Sequence, residues 1–345
     1  MRIDVPVIIT AVTLSILFVG SLLVYPLNPY SFDSEADFGD GSVTIYSSPA
    51  TEYGVCAFDT IMNTDRNIYI FIDGRYASIT GIGYQRSFAE SLERELDLRN
   101  YRSGGLEVKR IDADELKDIL NDTSNSEDGV IVFAGGALPV LADGSDPIGD
   151  TAGMISDWVD TGGVLLWAAD KFGYYFAPMD TDYKEWLTDG DQPLGDGSSY
   201  FIGSSDLINP TMTKTYAGTR TEAADAMSVI HNEITNGVKA SHADVSLGYV
   251  DGVYGSASFI HNATQSGGYL IFGGTIEDKQ GLYEAEIAQI LTSGLFGAKL
   301  STMICEKGTM KGSKTVQLDL SGLSDPRIYV YAGFVASTYG KLHTA

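Results

Sequence analysis

Three kinds of apolar run recur along this chain, and each predicts a different element. One is long and uninterrupted: Val5 to Tyr25 (VPVIITAVTLSILFVGSLLVY) holds 21 residues without a charge. As a helix rising 1.5 Å per residue it spans roughly 30 Å, the thickness of a bilayer's hydrocarbon core. A second kind is short and continuous, as in Asn67–Asp73, Gly129–Ala134, Val164–Ala169 and Gly268–Gly273. Such runs mark strands covered on both faces. The third is spaced for a helix. Phe88, Leu92 and Leu96 stripe one face of a helix over 84–99, and Tyr283, Ile287, Ile290, Leu291 and Leu295 do so over 282–296. Shorter helices are predicted over 112–120, with Asp112 or Asp114 as the cap, and over 150–160, closed by Gly162-Gly163.

With a strand over 106–111, these elements alternate as β-α-β-α-β-α-β through the middle of the chain. That order predicts an α/β fold: a parallel sheet with helices on both faces and the loops after the strands gathered along one ligand-binding edge. Residues 171–222 are irregular and read as an insertion; 244–250 and 256–261 read as antiparallel strands. Thr315–Leu320 and Arg327–Phe334 read as a β-rich tail, the first alternating cleanly with one face wet. The domain reading is an anchor over 1–25, a polar linker over 26–42, the α/β domain over 43–300 and a β-rich C-terminal extension over 301–345.

Charge then sets the topology. Arg2 and the terminal amine precede the apolar run, and Asp33, Glu35 and Asp37 follow it. By the positive-inside rule the N-terminus is cytoplasmic and the rest lies outside a cytoplasmic membrane. Val19 and Ser21 leave open a cleaved secretory signal instead of an anchor. Two acceptor triplets for N-glycosylation, Asn121-Asp-Thr and Asn262-Ala-Thr, fit an exterior location. The formal net charge of −24 repels phosphate and excludes nucleic acid as a partner. Cys56 and Cys305 have no metal-ligand or CxxC spacing; they are either one disulfide joining the two ends of the central region or two buried thiols.

Four segments, in order, resemble the class I glutamine-amidotransferase-like superfamily, in particular its trehalose-utilisation-protein-like and related non-amidotransferase branches. They are Asp128-Gly-Val-Ile-Val-Phe-Ala-Gly-Gly136, Trp158-Val-Asp-Thr-Gly-Gly-Val-Leu-Leu-Trp167, His231-Asn-Glu-Ile-Thr-Asn-Gly-Val238 and Gly267-Gly-Tyr-Leu-Ile-Phe-Gly-Gly274. The resemblance covers roughly residues 65–297 and implies a flavodoxin-like fold, with Gly135-Gly136 as the counterpart of an oxyanion loop. It also implies a nucleophilic cysteine in the turn after the second segment. This chain has Ala168-Ala169-Asp170-Lys171 there, with no side chain able to attack a carbonyl. His231 and Glu233 keep the family's spacing of base and orienting acid with nothing to activate.

The remaining chemistry is sparse. Gly135, Gly136 and Asp170, with Glu277 or Asp278, frame a polar pocket at the strand ends. Asp143–Asp146, and Asp189, Asp191 and Asp196, suggest calcium as the one candidate cofactor, although they lack the register of a calcium-binding helix-loop-helix. Tyr174, Tyr175, Tyr183 and Trp186 either contact a glycan or protein or pack the insertion onto the sheet. The leading expectation is a membrane-anchored, extracytoplasmic binding or structural module without catalysis. The alternatives are a hydrolase working through Asp170, His231 and Glu233, and an accessory subunit of a membrane complex.

Overall fold

The computed structural model describes residues 31–37, 39–169, 172–173, 175–180, 201, 215–216, 233–234, 238–239, 243–250, 254–272, 282–334 and 340–344. Val5–Tyr25 lies outside them, and among the described residues no helix is long and apolar enough to cross a membrane. In chain order the elements are β1 (Ser31–Asp37), β2 (Ser42–Phe58), β3 (Asn67–Phe71), α1 (Ile82–Leu98), β4 (Val108–Ile111), α2 (Ala113–Asn121), β5 (Gly129–Phe133), β6 (Leu138–Pro139), α3 (Pro147–Asp160), β7 (Val164–Trp167) and β8 (Phe176–Ala177). There follow β9 (Thr215–Tyr216), β10 (Glu233–Ile234), β11 (Val238–Lys239), β12 (Val245–Val250), β13 (Tyr254–His261), β14 (Gly268–Phe272), α4 (Leu282–Ser293), β15 (Ile304–Gln317), β16 (Arg327–Phe334) and β17 (Gly340–Thr344).

The fold is mixed α/β. Its larger sheet carries five parallel strands in the order β4-β3-β5-β7-β14, continued by antiparallel β13, which pairs with both β12 and β11. Alternate side chains of these strands enter two cores. Ile68, Ile70, Val130, Val132, Val164 and Leu166 meet Phe88, Leu92 and Leu96 of α1 and Ile287, Ile290 and Leu291 of α4. Phe71, Ile131, Phe133, Leu165 and Trp167 meet Leu116 and Leu120 of α2 and Ile155 and Trp158 of α3. The continuous apolar runs are thus explained by cover on both faces. Asp112 caps α2, accepting from the Asp114 and Glu115 N–H groups, while Glu115 reaches back to the Asp112 N–H.

The segment read as linker and the C-terminal extension form one unit. Ser31–Asp37 is a strand, and the extension pairs with β2 rather than standing alone. β15 runs along one edge of β2, while β1 and β16 share the other edge. Between Ser47 and Thr51 the pairing with β15 shifts register, and Pro49, which has no N–H to donate, falls in that stretch. The two halves of β2 share a small core of Val43, Ile45, Tyr53, Val55 and Ala57 with Met310, Val316, Leu318, Ile328 and Val330. On the opposite face Cys56, Phe58 and Tyr329 join the core under α1 and α4. Cys56 and Cys305 face each other across β2 and β15 and are disulfide-bonded, with Cα atoms 4.2 Å apart and a sequence separation of 249.

At the opposite end of the parallel strands from the loops lies a fully buried guanidinium. Arg66 donates from Nε to the Asn63 carbonyl (2.6 Å), from Nη1 to that of Gly162 (2.5 Å) and from Nη2 to that of Ser266 (2.6 Å), with a longer bond to Gly129 (3.4 Å). The Asn63, Gly129, Gly162 and Ser266 carbonyls stand at or just before the starts of β3, β5, β7 and β14. Burial pulls the Arg66 pKa down to about 10, so it stays charged at neutral pH. Glycines make the approach possible. A Cβ on Gly163 would lie 2.2 Å from the Trp158 ring, and one on Gly267 would lie 2.4 Å from the Gly163 carbonyl oxygen.

Replacing Arg66 by Met takes the donor from the buried Gly162 and Gly129 carbonyls and from the part-buried Asn63 and Ser266 carbonyls. It is expected to lower stability by about 3–5 kcal/mol, read as a fall in the urea midpoint. Opening the Cys56–Cys305 bond, with a reductant or in the Cys56→Ala/Cys305→Ala double variant, frees the denatured chain. An expected loss of roughly 2–5 kcal/mol is checked by comparing urea transitions with and without reductant.

Candidate functional site

β3, β5 and β7 end together: Phe71, Phe133 and Trp167 are register neighbours. Their rings form a ladder, with centroids 5.3 Å apart for Phe71–Phe133 and 6.1 Å for Phe133–Trp167. Phe172 stands edge-on to Trp167 at 5.6 Å and also packs on Tyr269 and Phe201. Phe172 and Phe201 of the insertion are thus packed onto the sheet. Tyr175 is half-buried against Ala77, Ala137 and Ala177, while Tyr174, Tyr183 and Trp186 lie outside the described residues.

Above the ladder, the loops after the three strands are stitched together. β6 pairs in parallel with β8, and Tyr76 bridges to Met179. The Asp180 N–H donates to the Arg75 carbonyl at 2.8 Å. Gly135 and Gly136 stand directly after β5, at the expected edge, but beneath this layer. The Ile79 and Thr80 N–H groups both donate to the Gly135 carbonyl (2.8 and 3.1 Å), and the Thr80 hydroxyl donates to that of Ala134 (2.7 Å). Buried Gln85 donates to the Ser78 hydroxyl (2.8 Å) and the Thr80 carbonyl (2.9 Å). A Cβ on Gly135 would touch the Gln85 side chain at 3.3 Å, and one on Gly136 would meet Ile79 at 2.9 Å. Gly136 has φ +75°, which explains glycine there. The volume against this turn is occupied by the protein itself.

At the rim, Asp73 and Arg75 follow β3. Asp73 accepts from the Arg75 guanidinium (Nη2, 2.6 Å), the Arg75 N–H (2.9 Å) and the Ala113 N–H at the start of α2 (3.1 Å). Arg75 also reaches Asp114 at 2.9 Å, with Asp112 at 3.8 Å. Burial pushes the Asp73 carboxyl up, but the hydrogen bonds from Arg75 and Ala113 outweigh it and hold the pKa below the usual range. This cluster ties the end of β3 to a helix N-terminus, where negative charge is favoured.

The other predicted residues do not gather into a described site. Asp170, His231, Glu277, Asp278, Asp189, Asp191 and Asp196 lie outside the described residues. Glu233 is in β10, paired with Tyr216 of β9. Asp146 caps α3, accepting from the Gly149 N–H at 3.1 Å. Among the described residues no group of three or more His, Cys, Asp or Glu is arranged to hold a metal ion. Sequence reasoning missed Asp73, Arg75, Thr80 and Gln85. The available sign was Asp73-Gly74-Arg75 directly after the first parallel strand. No protein-family model matches the chain, and no curated protein matches it either.

The pH dependence of the rim follows from the sign of the Asp73 shift. A carboxyl whose pKa is lower folded than unfolded stabilises fully above its unfolded value and loses that contribution as pH falls through the folded one. The protein is expected to lose stability below about pH 4. Asp73→Asn is expected to start less stable at pH 7 and to show a shallower loss across that window, measured by urea titrations at stepped pH.

Proposed function

We propose that this protein is a membrane-anchored, extracytoplasmic binding or structural module, built on a degenerate amidotransferase-like, flavodoxin-like fold that has lost catalysis. The observation that carries the non-catalytic half is the filled turn. Ile79 and Gln85 sit against Gly136 and Gly135, where an acyl-transfer enzyme needs open space for a developing oxyanion. The sequence after β7, Ala168-Ala169-Asp170-Lys171, agrees, since it supplies no hydroxyl or thiol. The strand order supports the fold assignment. Numbered along the chain, the parallel strands run 2-1-3-4-5, the order of the flavodoxin class.

The roof over the strand ends changes the mode of recognition this module would use. Its outward groups near β3 are Arg75, Asp112 and Asp114, already paired with one another. That arrangement suits contact across a surface with a protein or glycan better than engulfing a small substrate. The Cys56–Cys305 bond supports the exterior location, because such bonds persist in oxidising compartments. The anchor is the Val5–Tyr25 run, with the acidic domain beyond it.

Protease added to intact cells is expected to cut or release the domain, with the Cys56–Cys305 bond intact in non-reduced samples. Full protection until lysis would reverse the topology. Turnover of an amide or ester substrate that disappears in Asp170→Ala would end the non-catalytic reading.

A further inference from the structure

The two N-glycosylation triplets have opposite structural fates. We infer that Asn121 is the glycan-bearing residue of the folded protein and that Asn262 stays unmodified, an inference that rests on the extracytoplasmic reading above.

Asn262 spends its whole carboxamide on the fold. Nδ2 donates to the Val159 carbonyl (2.8 Å) and the Asp160 carbonyl (3.2 Å) at the C-terminal end of α3. Oδ1 accepts from the Ser266 N–H (3.1 Å) and the Thr264 hydroxyl (3.0 Å), which itself shares a hydrogen with the Ser266 hydroxyl (2.7 Å). The side chain closes the Asn262–Ser266 turn and presses it against the helix end, satisfying carbonyls that a helix leaves open. The same turn delivers the Ser266 carbonyl to Arg66. A sugar on Nδ2 would occupy the position of the Val159 carbonyl and force the turn away from α3.

Asn121 is the reverse case. It is the last residue of α2, pointing away from the buried face formed by Ala113, Leu116 and Leu120. Asn121, Asp122 and Thr123 are all exposed, and helical geometry stops at Asp122 (φ −91°, ψ 75°). Presenting the triplet in an extended form requires opening the last turn of α2 and the start of the 3-10 turn over Thr123–Asp128, which Asp122 caps at the Ser124 N–H (3.3 Å). Both are short exposed ends, and helix ends open more readily than helix interiors. A bulky, polar glycan there projects into solvent and touches no core contact.

The transfer uses a lipid-phosphate- or lipid-diphosphate-linked oligosaccharide as donor. A bond forms between Asn121 Nδ2 and the anomeric carbon. The bond from that carbon to the phosphate oxygen breaks, the lipid phosphate leaves with the electron pair, and one amide proton is lost to base.

The test is mass spectrometry of the intact protein and its peptides, purified from its own cells. The expected result is a glycan on the peptide carrying Asn121 and an unmodified Asn262 peptide. Asn121→Gln and Thr123→Ala should each abolish the mass increment, with Thr123→Ser retaining it and the melting temperature unchanged. Asn262→Gln should keep the increment and lower the melting temperature by about 2–4 °C. A glycan at Asn262, or none at either position, overturns the inference. Protease treatment of the same intact cells separates the failures. An accessible domain with no glycan refutes this inference alone, whereas a protected domain refutes the exterior reading as well.

Discussion

The Arg66 guanidinium is the point on which the larger sheet is hung. A buried charge without a carboxylate bonded to it is costly. Here it is satisfied by backbone carbonyls from residues 63, 162 and 266, with a weaker contact at 129, and is favoured at longer range by Glu127 and Asp128. Each carbonyl belongs to a different approach into the sheet, so one planar fork fixes where several strands begin. Packing around Trp158 completes the arrangement, and it tolerates no side chain at Gly163 or Gly267. Two of the glycine pairs that prompt the amidotransferase resemblance, Gly162-Gly163 and Gly267-Gly268, therefore sit in the close packing at this end of the sheet.

At the other end of the same strands, the aligned Phe71, Phe133 and Trp167 give a flat aromatic floor on which the later loops settle. Because the strands start in fixed register, they also finish in register, and the three loops meet closely enough to pair with each other. The Gly135-Gly136 turn lies under those loops. Its glycines allow Gln85 and Ile79 to approach closely.

The sequence made the parallel strands and the four longer helices legible, since runs such as Gly129–Ala134 and stripes such as Phe88, Leu92 and Leu96 report burial directly. Errors at element ends were small; α3 begins at Pro147, behind the Asp146 cap, rather than at residue 150. The tail strands at Thr315–Leu320 and Arg327–Phe334 were readable, but their pairing with the N-terminal strands was illegible for a physical reason. Ser31–Asp37 is polar and short, and its partners make sense only once Ser42–Phe58 is paired with strands that follow some 250 residues later. Long-range pairing leaves little local imprint. Arg66 was equally hidden, because its partners are carbonyl groups, which every residue has. At the candidate site, Gly135 and Gly136 were readable as a turn after a strand, whereas the side chains that fill it come from another loop and another helix.

The covalent tie between β2 and β15 gives the chain a mechanical property. Seen from Cys56 and Cys305, the entire α/β unit is a closed loop hanging off a short bridge. Tension applied between the N-terminal and the C-terminal strands crosses that bridge and bypasses the backbone in between. The two ends can therefore be drawn apart without stretching the covalent path through the larger sheet.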